Sequence, residues 1–163
     1  MKTLLIVQHS RTGGARQMAE AAAGAARAEP DVAVRVLPAA ETGPPDVLGA
    51  DAYIFACPEN LAALSGVMKD FFDRCYYPVL DRINGRPFAM LICAGSDGQN
   101  AVRQIRRIAT GWRLREIADP LIVHTRAQTP EAILAMKDIT APDLERCATI
   151  GATLAAGLGM GVF

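Results

Sequence analysis

The run Phe88-Ala89-Met90-Leu91-Ile92-Cys93-Ala94 contains no polar side chain. A strand with one wet face alternates apolar and polar residues, so a strand without alternation is covered on both faces. Thr3–Val7 and Ala52–Cys57 are similar runs, with only the Thr3 and Tyr53 hydroxyls as polar groups and no alternation. Val32–Leu37 carries β-branched Val32, Val34 and Val36, and a shorter run, Leu121–Val123, leads to His124. Between these runs the apolar spacing becomes helical. Leu64, Val67, Met68, Phe71, Phe72 and Cys75 fall at i, i+3, i+4, i+7, i+8 and i+11 and share one helix face. Doubly buried strands alternating with helices form a parallel sheet with right-handed crossovers. Five runs therefore predict an α/β fold, a three-layer α/β/α sandwich on a five-stranded parallel sheet. No repeat or low-complexity linker divides it, so residues 1–163 are expected to form a single domain.

The other helices follow from local signals. An Ala-rich segment from about Gly13 to Ala28 ends before Pro30, and Ala101, Ile105, Ile108 and Trp112 mark one side of another helix. Thr129-Pro130-Glu131 opens a short helix. Thr140–Asp143, with Pro142 in its first turn, opens the last, whose buried face is Leu144, Cys147, Ala148, Gly151, Leu154 and Ala155. Pro38–Gly49 reads as a connector. Gly157, Gly159 and Gly161 read as a frayed end.

Composition narrows the function classes. Seventeen basic and 17 acidic side chains give a net charge of zero, which argues against a nucleic-acid or membrane-surface partner. No stretch reaches the ~18 apolar residues of a membrane span, and the apolar run after Lys2 is too short for a signal core. Cys57, Cys75, Cys93 and Cys147 show no metal-ligand spacing and no C-x-x-C pair. They read as buried free thiols of a cytoplasmic protein. Neither Cys57 nor Cys93 begins the Cys-x5-Arg of a low-molecular-weight phosphatase, because Ala63 and Gln99 stand where the arginine belongs.

In an open parallel sheet, ligands sit beyond the carboxyl ends of the strands, where strand order reverses. Three stretches in such places have unusual composition. His9-Ser10-Arg11-Thr12-Gly13-Gly14-Ala15 joins a buried strand to a helix start, where free N–H groups and the helix dipole favour an anion. Ser10 and Thr12 add hydroxyl donors, and Gly13 and Gly14 allow close approach. The stretch is neither a P-loop, lacking Gly-Lys-Ser/Thr, nor a dinucleotide fingerprint, lacking G-x-G-x-x-G. The second stretch is Pro58-Glu59-Asn60-Leu61-Ala62, continuing through Ser65-Gly66 to Lys69-Asp70-Phe71-Phe72-Asp73-Arg74. The third is Ala94-Gly95-Ser96-Asp97-Gly98.

On these three motifs, and over nearly its whole length, the chain resembles the flavodoxin-like family, near the NAD(P)H-dependent FMN reductases and quinone reductases. The resemblance implies strand order 2-1-3-4-5 and bound FMN. Ser10, Arg11, Thr12, Gly13, Gly14 and Ala15 would hold the phosphate. Pro58, Glu59, Asn60, Leu61 and Ala62, with Ala94, Gly95, Ser96, Asp97 and Gly98, would flank the isoalloxazine ring. It further implies NAD(P)H as reductant, a small-molecule electron acceptor such as a quinone, and a homodimer. The chain departs from the family pattern at Ala15, where a hydroxyl is usual, and at Leu61-Ala62, where an aromatic residue and Gly are common. A missing stacking contact lowers flavin affinity by roughly 0.5–1.5 kcal/mol.

No catalytic side chain or metal ligand is assigned. His9 and His124 lie near strand ends on the same edge, and a structural hydrogen-bonding role is favoured over proton transfer. Arg11 and Arg16 are either phosphate ligands or solvated side chains at the helix start. Arg103, Arg106, Arg107, Arg113 and Arg115 read mostly as an exposed face. The leading function is an FMN-dependent oxidoreductase, in which the cofactor performs the chemistry. The alternatives are an electron-carrier flavodoxin, disfavoured by the neutral charge, and a flavodoxin-fold binding module with weakened or lost flavin binding.

Overall fold

The computed structural model describes all residues, 1–163. In chain order the elements are β1 (Lys2–Gln8), α1 (Gly14–Ala26), β2 (Val32–Pro38), α2 (Pro44–Leu48), β3 (Ala52–Asn60), β4 (Ala63–Leu64), α3 (Gly66–Val79), β5 (Pro87–Ala94), α4 (Gln99–Gly111), β6 (Arg115–Glu116), β7 (Leu121–His124), α5 (Pro130–Leu134) and α6 (Ala141–Gly159). The parallel sheet runs β2-β1-β3-β5, and both β6 and β7 pair with β5. The expected 2-1-3-4-5 order is therefore present, with its fifth strand split in two. Ile117 N–H still donates to Phe88 O at 3.1 Å, after which Ala118-Asp119-Pro120 leaves the ladder, and Pro120 has no N–H to continue it. With β4, a short antiparallel return from β3, the sheet has seven strand segments where five runs were read.

Alternate residues of the doubly buried strands feed two cores. Leu5, Val7, Tyr53, Phe55, Phe88, Met90 and Ile92 face α3 and α4, meeting Met68, Phe71, Phe72, Ile105 and Trp112. This layer is aromatic, with the Phe55 and Phe72 ring centroids 5.1 Å apart and the Trp112 indole N–H donating to the Tyr76 carbonyl at 3.1 Å. Leu4, Ile6, Ile54, Ala89 and Leu91 face α1 and α6. Nine of the 22 buried residues of that layer are alanine. A Cβ placed on Gly151 of α6 would lie 2.0 Å from the Ala22 carbonyl oxygen of α1. The Ala-rich composition of α1 is thus a packing requirement as well as a helix preference.

Several local expectations change. Leu64 belongs to β4 rather than to α3, although its side chain joins the same core. The Pro38–Gly49 connector contains the one-turn helix α2. The tail is capped, not frayed. Gly161 adopts φ +66°, Val162 N–H donates to Gly157 O at 2.9 Å, and Gly161 N–H donates to Leu158 O at 3.1 Å. These two bonds close a Schellman motif that folds Phe163 back onto Gly157. No helix is long and apolar enough to cross a membrane.

Candidate functional site

The strand order reverses between β1 and β3, and a cleft of 490 Å³ opens beyond their carboxyl ends. That volume lies within the range of small-molecule sites, about 300–1,000 Å³.

One wall is the turn from β1 into α1. After His9 N–H donates to the Ala56 carbonyl at 2.9 Å, the chain leaves the sheet. Gly13, the residue preceding α1, adopts φ +87°, a conformation that penalises any side chain. A Cβ on Gly14 would lie 2.5 Å from the Cys93 sulfur, so Gly14 lets α1 start directly against the end of β5. As a result, no backbone N–H from Ser10 to Arg16 donates to a carbonyl or side chain. Unpaired N–H groups at a helix start, with the helix dipole behind them, form an anion cradle. Ser10, Arg11, Thr12, Gly14 and Ala15 line the cleft there. Arg11 lines it too while Arg16 does not, which separates two arginines that were equivalent in the sequence.

The second wall is the hairpin between β3 and β4. Glu59 pairs with Leu64 and Asn60 with Ala63, leaving Leu61 and Ala62 as a two-residue turn with φ +49° and +60°. Such a turn needs positive φ at both central positions and usually contains Asn and Gly. Here α4 enforces it. The Asn100 amide donates to the Ala62 carbonyl at 2.5 Å, and Leu64 N–H donates to Gln104 Oε1 at 2.9 Å. Glu59 accepts from Gly98 N–H at 2.9 Å and from Ala101 N–H at 3.0 Å, capping the start of α4. The Glu59 carboxylate therefore joins the second and third loops. The turn projects Leu61 fully into solvent at the cleft mouth.

The third wall is Ala94–Asp97. Gly98, at φ +97°, turns the chain into α4, where a Cβ would meet the Ile122 Cγ2 at 2.7 Å. Fourteen of the sixteen residues singled out from the sequence line the cleft; the other two, Gly13 and Gly98, shape its turns.

A fourth wall escaped the sequence reading. Residues 125–139, following β7, cross from the third loop to the first as a strap. Thr125 and Arg126 N–H groups donate to Ala94 O and Gly95 O at 2.8 and 2.9 Å, and Lys137 N–H donates to Thr12 O at 2.7 Å. Thr125, Ala127, Gln128, Ile133, Leu134 and Lys137 face the cleft, as does Cys93. The available signal was position: this loop follows the fifth strand on the same sheet edge as the other three.

Both histidines are held by a hydrogen bond. The His9 Nδ1 lies 2.8 Å from the buried Ser65 hydroxyl, and burial, aided by the Arg11 charge, holds its pKa below the ordinary 6.5. His124 donates through Nε2 to the Asp97 carbonyl at 2.7 Å. All four cysteines are free and buried, and burial pushes Cys93 up to about 11 and Cys57 to about 12, so neither supplies a thiolate at neutral pH. Lys69–Asp73 and Asp70–Arg74 pair along α3, and Arg74 also donates to Ala39 O and Thr42 O, so that motif ties α3 to the preceding connector. In the basic stretch, Arg106 forms a two-pronged pair with Glu116 and Arg113 pairs with Asp81.

Residues 1–128 match the model of the NADPH-dependent FMN reductase family. The chain belongs to that family. The match takes in the three loops and ends at Gln128, before α5 and α6. A flavodoxin of Aquifex aeolicus is 34% identical over 86 residues, which are 53% of this chain and 46% of that protein. The chain thus spans about half the length of that curated relative. Among solved structures, the flavodoxin, WrbA-like protein from Agrobacterium tumefaciens superposes with a TM-score of 0.77 at 20% identity, covering 99% of each chain. An archaeal flavodoxin does so with a TM-score of 0.75 at 19% identity, covering 97% of this chain and 99% of the other. The flavodiiron protein from Giardia intestinalis reaches 0.78 at 17% identity, with 99% of this chain on 37% of that one. At these identities the structural likenesses establish the flavodoxin-like fold, which this FMN reductase family member shares with them.

Proposed function

We propose that this chain binds FMN in the four-walled cleft and catalyses NAD(P)H-dependent reduction of a small acceptor, with a quinone as the leading candidate. The observation that carries the reading is the row of undonated N–H groups from Ser10 to Arg16 at the start of α1. A phosphate is the anion such a cradle fits, with the Ser10 and Thr12 hydroxyls as further donors. Ala15 adds a backbone N–H only. The Pro58–Ala62 hairpin and the Ala94–Gly98 loop would then lie on either side of the flavin ring, with Leu61 supplying an apolar contact in place of an aromatic one.

Bound FMN would supply the hydride chemistry between nicotinamide and acceptor. The protein's part is to anchor, to orient and to leave a face open. Glu59 has both carboxylate oxygens engaged by α4, and His9 is neutral and bonded to Ser65. No side chain in the cleft is therefore assigned as an acid or base. Leu61, Ile133, Leu134 and Met136 are exposed around the mouth, which suits a flat apolar acceptor and a second copy of the chain closing over it in a homodimer. The buried free thiols suit a reducing cytoplasm.

The test is oxidation of NADH and NADPH by FMN-loaded protein with and without a simple quinone. Quinone-dependent turnover is the expected result. FMN binding without direct NAD(P)H oxidation would instead favour an electron carrier, the reading to which the Aquifex flavodoxin points.

A further inference from the structure

One side chain connects the anion cradle to the strap, and it lines neither the cleft nor a core. Gln17, on the first turn of α1, donates through Nε2 to Gly13 O at 3.0 Å and to Lys137 O at 2.7 Å, and accepts through Oε1 from Ile139 N–H at 3.1 Å. A single amide thus fastens the residue that turns the cradle to both ends of a three-residue piece of strap. Lys137 N–H adds the bond to Thr12 O beside it. Between Arg126 and Lys137 the strap has no backbone hydrogen bond to the rest of the molecule. It is held inwardly by the Thr129 cap and by the Lys137 ammonium, which donates to the Ala132, Ile133 and Ala135 carbonyls. Ile133 and Leu134, the wall it presents to the cleft, are mostly exposed. The order of this wall therefore depends on its two moorings, and Gln17 is the centre of one of them.

We infer that Gln17 is a positioning residue that makes the geometry of the phosphate cradle and the order of the strap one event. A phosphate seated on the N–H groups from Ser10 to Arg16 fixes Gly13, Gly13 fixes the Gln17 amide, and the amide fixes Lys137 and Ile139. Occupation of the anion end of the cleft is in this way transmitted to the apolar wall at its other end. The consequence rests on the FMN reading above: FMN orders the strap and riboflavin, which lacks the phosphate, does not.

The test compares wild type with Gln17→Ala and Gln17→Glu. Glu keeps the acceptor for Ile139 but removes both donations. Hydrogen exchange is followed at the Lys137 amide and over 130–135, whose backbone partners the substitutions leave in place, and FMN and riboflavin are titrated by flavin fluorescence. Expected in free protein is faster exchange in both variants. FMN slows exchange over 130–137 in wild type only, and FMN affinity falls by about tenfold in Gln17→Ala while riboflavin affinity is unchanged. Unchanged exchange in the free variants would overturn the inference. So would an equal fall in FMN and riboflavin affinity, since that marks a merely structural role. If wild type binds no FMN, the functional reading fails, and the exchange in free protein alone decides whether Gln17 moors the strap.

Discussion

Ala62 is one of five non-glycine residues held at positive φ. It sits at φ +60° in the hairpin turn, beside Leu61 at +49°, where a Cβ meets the following carbonyl and costs about 1–2 kcal/mol. Glycine removes that cost but loses more freedom on folding, about 0.5–1 kcal/mol. Ala62→Gly is therefore expected to raise unfolding free energy by about 0.5–1 kcal/mol, read from denaturant midpoints. The strain persists because Asn100, Gln104 and Glu59 hold the hairpin from three sides. His9 gives a pH dependence of definite sign. Its folded-state pKa lies below the unfolded 6.5, so the unfolded chain takes up the proton first as pH falls. Its contribution to stability is full above 6.5 and is lost as pH drops through the folded-state value. His9→Gln should flatten that part of a stability profile measured from about pH 8 to pH 5.

Among the elements, α4 does more than cover the sheet. Its first turn is capped from another strand, by Glu59, whose charge also sits at the favourable end of the helix dipole. Glu59→Ala is expected to lower stability by about 1–2 kcal/mol and to speed hydrogen exchange at Gly98 and Ala101. Glu59 was legible in the sequence as a cleft residue, but not as a cap, because its partners lie 39 and 42 positions away. The turn of the first loop was legible, since Gly13-Gly14 after an apolar run marks a tight strand-to-helix turn, but which of Arg11 and Arg16 lines the cleft was not. The β3–β4 turn was not, since Leu61-Ala62 lacks the Asn-Gly that announces such a hairpin. The strap was missed for a related reason. Thr125-Arg126-Ala127-Gln128 has no glycine and no motif, and its place over the cleft comes from backbone bonds to Ala94, Gly95 and Thr12.

At the scale of the molecule, two cores of different composition meet one sheet. The alanine-glycine layer tolerates little. Gly151→Ala would push a methyl group into the Ala22 carbonyl, and a loss of about 1–3 kcal/mol is expected in thermal or chemical unfolding. The exposed rim formed by Leu61, Ile133, Leu134 and Met136 is the surface proposed to be shared in a homodimer. Leu134→Glu should shift the mass measured by light scattering from dimer to monomer without altering the far-ultraviolet circular dichroism. The parallel order, the layers and the position of the cleft all converge on the start of α1, whose unpaired N–H groups are the proposed phosphate site. Calorimetric titration of the purified protein with FMN and, separately, riboflavin measures that feature directly. FMN binding at least about tenfold tighter than riboflavin is the predicted result; equal affinities, or no binding of FMN, would contradict it.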